Sequence, residues 1–262
     1  MSDRCSTLFV FEGVTEDSIV SSLERHFMGG AVAIKCAFCG DIYQFYRKLK
    51  EDDFSVDVLT LLKHRNKKNR SNLEGYSPDS FAYIYFFFDY DGHATKADDG
   101  KVAEMLEFFN NETENGKLFI SYPMVESVRH YKDRKSFKDL VVKCKGQNCP
   151  NTLDCERSEE CMSAPRYKTF VPTDSDLNAV KLNSPERWKE LIDAHLCKGH
   201  FVVDGGYSRP TELLVQSEVF RCQLEKYISQ PCPVVAVLSA FPLFVQDYYG
   251  VSKLNEKLES ES

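Results

Sequence analysis

No apolar run in this chain is long enough to cross a bilayer. The longest, Val234 to Val245, is broken by Ser239 and Pro242, whereas a span needs about 20 apolar residues. The opening Met-Ser-Asp-Arg lacks the apolar core of a secretory signal, so a cytoplasmic protein without a membrane partner is expected. No Gly-x-x-x-x-Gly-Lys-Ser/Thr loop occurs, which excludes a P-loop ATPase on this chain. Paired C-x2-C knuckles are missing as well. The ten cysteines are scattered or gathered in one loop, unlike a secreted disulfide framework, and reduced thiols are expected.

The 262 residues are 42% hydrophobic and 28% charged, with 33 basic against 40 acidic side chains, a net charge of −7. Such a chain can bury a full core and is not disordered. Its acidity argues against indiscriminate coating of nucleic acid, but two blocks run the other way. Lys63, Arg65, Lys67, Lys68 and Arg70 form the first. In the second, Arg129, Lys132, Arg134, Lys135, Lys138, Lys143 and Lys145 outnumber Asp133 and Asp139. If the protein works on nucleic acid, these blocks are the surfaces to track phosphates, with Arg129, Lys132 and Lys135 the contacts chosen in the second.

The pattern predicts strands at Leu8-Phe11, Ala31-Ile34, Phe81-Phe88 and Lys117-Met124. Between them, helical spacing marks Ile19 to Phe27 with Thr15 as N-cap, Ile42 to Leu49 running on after a break through Leu62, and Val102 to Phe109. Residues 63–80 read as a loop. Alternating β and α elements predict a doubly wound, mainly parallel α/β sheet. The expected organisation is a catalytic domain over residues 1–135, a Cys-rich insertion over 136–170 and a mainly helical region over 171–262. In the last, Ser184-Pro185-Glu186 opens one helix, and Thr211 to Ile228 forms another.

Glu12 ends the first predicted strand and Asp89 and Asp91 end the third. The carboxyl ends of parallel strands share one edge, where ligands bind. Two positions apart on an extended chain, Asp89 and Asp91 would point the same way, with Gly92 turning the backbone behind them. Glu16 starts the first helix near the same mouth. Two carboxylates about 4 Å apart repel by roughly 4 kcal/mol at an effective dielectric near 20. A bound divalent cation would relieve this, and oxygen-only ligands favour Mg²⁺ or Mn²⁺.

The segments Phe-Val-Phe-Glu12-Gly13 and Phe-Phe-Phe-Asp89-Tyr-Asp91-Gly92 together resemble the TOPRIM family over residues 7–133. Glu12-Gly13-Val-Thr15-Glu16 is similar to the OLD-type and phage-defence branch. The resemblance implies a two-metal nuclease: Glu12 as metal ligand or general base, Glu16, Asp89 and Asp91 as metal ligands, and Glu126 of Pro123-Met-Val-Glu126 as a further catalytic carboxylate. Lys132 and Lys135 are candidates for the family's lysine. The layout is similar to TOPRIM effectors paired with separate ATPase sensors in phage defence, such as the PARIS system. It therefore implies a toxic nuclease cutting DNA or RNA, tRNA included, controlled by an ATPase in trans and able to form a homodimer.

Cys144, Cys149, Cys155 and Cys161 are candidate ligands of a structural Zn²⁺ closing their core-poor loop. Cys36 and Cys39 read as small residues at a strand–helix junction, and His93 as either a substrate contact or a turn histidine. Two rival functions stand beside the nuclease. One is a phosphatase resembling the haloacid dehalogenases, with Asp89 as nucleophile and Asp91 as acid. The other is a catalytically dead TOPRIM scaffold that binds a partner.

Overall fold

The computed structural model describes residues 7–30, 32–55, 57–143, 166–175 and 182–260. It divides into two compact units. One holds the chain up to Asp89 with Asp98–Phe119, and the other Tyr90–Ala97 with the chain from Ile120 on.

The first unit runs β1 (Thr7–Phe11), α1 (Val14–Leu23), β2 (Ile34–Ala37), α2 (Ile42–Lys50), α3 (Val58–Arg65), α4 (Lys67–Asn72), β3 (Tyr83–Asp89), α5 (Asp99–Phe108), β4 (Asn110–Asn111) and β5 (Gly116–Ser121), whose last two residues belong to the second unit. The sheet order is β2-β1-β3-β5-β4. β1 pairs in parallel with both neighbours, Phe11 lying opposite Ala37 and Phe87. β4 and β5 form an antiparallel hairpin, so the sheet is mostly parallel, within an α/β fold.

Strand alternation sends aromatic rings to both faces. Phe9 meets Phe87 edge-on at 5.5 Å and Phe87 stacks on Phe119 at 6.0 Å. The neighbouring positions Phe86 and Phe88 pack on Phe45 of α2, which also stacks on Phe109. Each such ring taken from water contributes about 1.5–3 kcal/mol. A strand apolar on both faces is what the unbroken run before Asp89 requires.

Several elements depart from expectation. β2 begins at Ile34, because the Val32 N–H donates to Glu24 Oε1 at 3.0 Å and is not yet in the ladder. The N-cap of α1 is Gly13. The basic stretch 63–70 is helical: Asp57 caps α3, and Asn66 caps α4 through the Asn69 N–H.

The second unit contains α6 (Arg134–Lys138), β6 (Val141–Lys143), α7 (Tyr167–Asp174), α8 (Pro185–Asp204), α9 (Gln216–Gln223), β7 (Val234–Ala236), α10 (Ala240–Tyr249) and α11 (Val251–Glu259). Ser184 Oγ accepts the Arg187 N–H to cap α8, as predicted, and Gly205 at φ +82 ends it. The helix expected from Thr211 starts only at Gln216. Gln246 bonds the Leu214 N–H and the Glu212 carbonyl, holding that stretch out of helix. β6 and β7 pair antiparallel, and the apolar run 234–245 is divided between β7 and buried α10. Among the described residues no helix is long and apolar enough to cross a membrane.

Candidate functional site

Glu12 is braced from both sides. Its N–H donates to the Phe87 carbonyl of β3 at 3.1 Å, and its carbonyl accepts the Cys39 N–H just past β2 at 2.8 Å. The sheet thus fixes the backbone that carries its carboxylate. Glu12 Oε2 in turn accepts the Asp89 N–H at 3.1 Å, and Asp89 as a residue is 4% exposed. Two acidic residues from strands 77 positions apart in sequence are held at the carboxyl ends of β1 and β3. In the order β2-β1-β3 the chain winds one way from β1 and then returns to its other side. The crevice between β1 and β3 is therefore the topological switch point, where open α/β sheets bind ligands.

Glu16 is buried at the start of α1, and its Oε2 accepts the Gly13 N–H at 3.1 Å. It satisfies one of the orphan donors of the helix N-terminus and favours the helix dipole.

In the second unit, the Tyr90 N–H donates to the Ser121 carbonyl and the Asp91 N–H to the Pro123 carbonyl, tying Asp91 to the segment that leads into Glu126. Asp91 sits at φ +47. The left-handed turn falls on this aspartate and not on Gly92, and the alternation expected to aim Asp89 and Asp91 alike stops where β3 ends. Aspartate tolerates that backbone better than most residues, and such strain clusters at functional positions. His93 Nδ1 lies 3.8 Å from Asp91 Oδ1. Glu126 is 2% exposed in a 3-10 turn, Val125–Arg129, and its Oε2 has no hydrogen-bond partner among the described residues.

Among the described residues no three histidine, cysteine, aspartate or glutamate side chains gather to hold a metal ion. A closed protein cage such as zinc or calcium requires is thus missing there. The pair Glu12 and Asp89 fits a different habit. Mg²⁺ is commonly held by one or two carboxylates, with waters and substrate phosphates completing its shell. Cys144, Cys149, Cys155 and Cys161 lie outside the described residues. Of the two cysteines expected at a strand–helix junction, Cys36 is buried in β2, which pushes its thiol up to about 12, whereas Cys39 is exposed at φ +59.

The basic residues divide by employment. Lys63 donates to the Tyr76 carbonyl at 2.6 Å, and Arg65 donates to the carbonyls of Phe38 and Cys39 while lying over the Phe38 ring. These two hold the fold. Lys67, Lys68 and Arg70 stand exposed on α4. The buried side of the same short helix carries Asn66, Asn69 and Asn72, whose amides bond the Ala37 N–H and the Lys35 and Ala37 carbonyls. An asparagine ladder thereby closes the outer edge of β2 where a further strand would otherwise pair. The three-residue spacing of these asparagines was visible in the sequence beneath the positive charge.

In the second block, Arg134 binds Asp193, and Lys138 lies over the Phe201 ring. Lys132 binds Asp174 Oδ1 at 2.9 Å, inside a network that sequence reasoning missed. Buried His130 meets Asp174 Oδ2 at 2.9 Å and the Tyr167 hydroxyl at 3.0 Å. Burial depresses the His130 imidazole below its ordinary value, with the Asp174 bond acting against it. Arg129 and Lys135 keep no acidic partner among the described residues.

Comparison with family models, with curated proteins and with solved structures finds no match to this chain.

Proposed function

We propose that this protein is a divalent-metal-dependent nuclease, hydrolysing phosphodiester bonds in DNA or RNA, with Glu12 and Asp89 as its primary metal ligands. The observation that carries the reading is the meeting of those residues at the switch point of a mostly parallel sheet, Glu12 Oε2 on the Asp89 N–H. Mg²⁺ or Mn²⁺, when bound, supplies charge to a phosphoryl oxygen and lowers the pKa of an attacking water. The chain's own part is placement. The ladder bonds on both sides of Glu12 fix the backbone that carries its carboxylate, burial keeps Asp89 in a restricted geometry, and Lys67, Lys68 and Arg70 offer positive charge to the flanking phosphates.

Asp91 and Glu126 are the further acidic residues of the proposal. Asp91 follows Asp89 by two residues, and Glu126 supplies a buried carboxylate oxygen lacking a hydrogen-bond partner among the described residues. Glu16 is proposed as a helix cap that keeps Gly13 and hence Glu12 in place. The resemblance to TOPRIM defence effectors further supports an ATPase sensor acting in trans.

The test is incubation of wild-type and Glu12→Gln protein with plasmid, single-stranded DNA and total tRNA in Mg²⁺, Mn²⁺ or EDTA. Metal-dependent cleavage that the variant loses is the expected result. Cleavage that persists in the variant, or in EDTA, would refute the assignment.

A further inference from the structure

A cavity of about 290 Å³ opens in the first unit between Phe11 and Gly13, the two residues flanking Glu12, and the start of α4. Its walls are mainly apolar, with Phe11, Val14 and Ala37 among them. Two lysines reach it. Lys35 is already bound to Glu24 at 2.5 Å. Lys68 has a side chain 70% exposed, and Asp17, which also lines the cavity, lies 3.7 Å from it and 3.8 Å from Lys35. On the same helix, Lys67 and Arg70 line a second hollow of about 470 Å³ and have no carboxylate partner among the described residues.

An apolar slot beside a cationic ridge matches a ligand with a flat apolar part and anions on either side of it. The volume lies at the lower end of small-molecule sites, which run from about 300 Å³. That is room for one nucleotide and too little for two paired ones. A base inside a duplex is stacked and paired, so only an unpaired one can enter. We propose that this cavity seats one unpaired nucleobase of a nucleic-acid strand, with Lys67, Lys68 and Arg70 tracking the neighbouring phosphates. The assignment rests on the nuclease reading for what happens at Glu12, and it names the substrate class as single-stranded or looped nucleic acid.

The test reads binding alone, in EDTA. Anisotropy is measured for a labelled single strand of about ten nucleotides and for a blunt duplex of the same sequence. Val14→Trp fills the mouth from a position 73% exposed, and Lys68→Glu reverses the ridge charge, with folding of each checked by circular dichroism. Each variant is expected to weaken single-strand binding about tenfold, while the weaker duplex binding changes little. Unchanged single-strand binding in both variants, or wild-type affinity as high for duplex as for single strand, overturns the proposal. So does displacement of the strand by an equal concentration of adenosine monophosphate, which would reassign the cavity to a free nucleotide. A strand bound through the cavity yet uncut in Mg²⁺ would sink the nuclease reading alone, and a strand cut without any effect of the two variants would sink the cavity alone.

Discussion

The two units treat buried polarity in opposite ways. In the first, the buried acids Glu16 and Glu24 serve backbone N–H groups, Gly13 and Val32, and Glu24 also holds Lys35. Asn69 satisfies the Ala37 backbone on both its N–H and its carbonyl. The second buries basic groups, His195 and Lys198. His195, fully enclosed, accepts the Ser239 N–H on Nδ1 and is pushed down to about 3 by burial. Lys198 is 1% exposed, donates to the carbonyls of Phe137 and Leu140, and is pushed down to about 7 by burial. The first unit thus spends its buried acids on backbone donors and a lysine, whereas at His195 and Lys198 of the second the depressed pKa values couple ionisation to folding.

The largest expected effect separates activity from stability. Glu12→Gln and Asp89→Asn keep size and hydrogen-bonding capacity, so each should lower metal-dependent cleavage by about a hundredfold or more while the thermal midpoint moves little. A loss of fold in step with activity would break the distinction. Next comes Asn69→Ala, which orphans groups on the edge strand and on Leu62 and should cost about 2 kcal/mol in urea unfolding. Light scattering should then detect association through the uncovered edge of β2.

Two smaller effects belong to the second unit. His195 has its folded pKa below the unfolded value, so below about pH 6.5 the unfolded state takes up the proton first and stability falls with pH. Relative to His195→Gln, the wild type should lose about 2 kcal/mol between pH 7 and 5. Lys198 is likewise depressed, and the sign places its effect on the alkaline side. Between about pH 7 and 10 the unfolded lysine holds its proton while the folded one releases it, so stability rises with pH there. Against Lys198→Met this gain should be about 1 kcal/mol, limited by the two carbonyl bonds that favour the charged form. Flat differences across both pH ranges would erase the contrast between the units.

The α/β alternation and the placement of Glu12 and Asp89 were readable from sequence because buried strands and turn residues are written locally. Phe86 and Phe88 lie in one uninterrupted apolar run, and Ser184 with Pro185 announces α8. Tertiary bonds were not readable. Nothing local says that the Leu214 N–H is taken by Gln246, or that Lys132 is spent on Asp174. Charge in the 63–70 block hid the asparagines that make α4 a helix fitted to β2. The turn at Asp91 was misread because Gly92 is the residue that ordinarily supplies positive φ.

The proposed function places the metal on the strand-end pair of the first unit, Glu12 and Asp89. Electron paramagnetic resonance of Mn²⁺ titrated into wild-type protein with a non-hydrolysable phosphorothioate single strand tests it most directly. The account predicts a bound-Mn²⁺ signal that both Glu12→Gln and Asp89→Asn weaken. Equal Mn²⁺ binding in the wild type and both variants would contradict it.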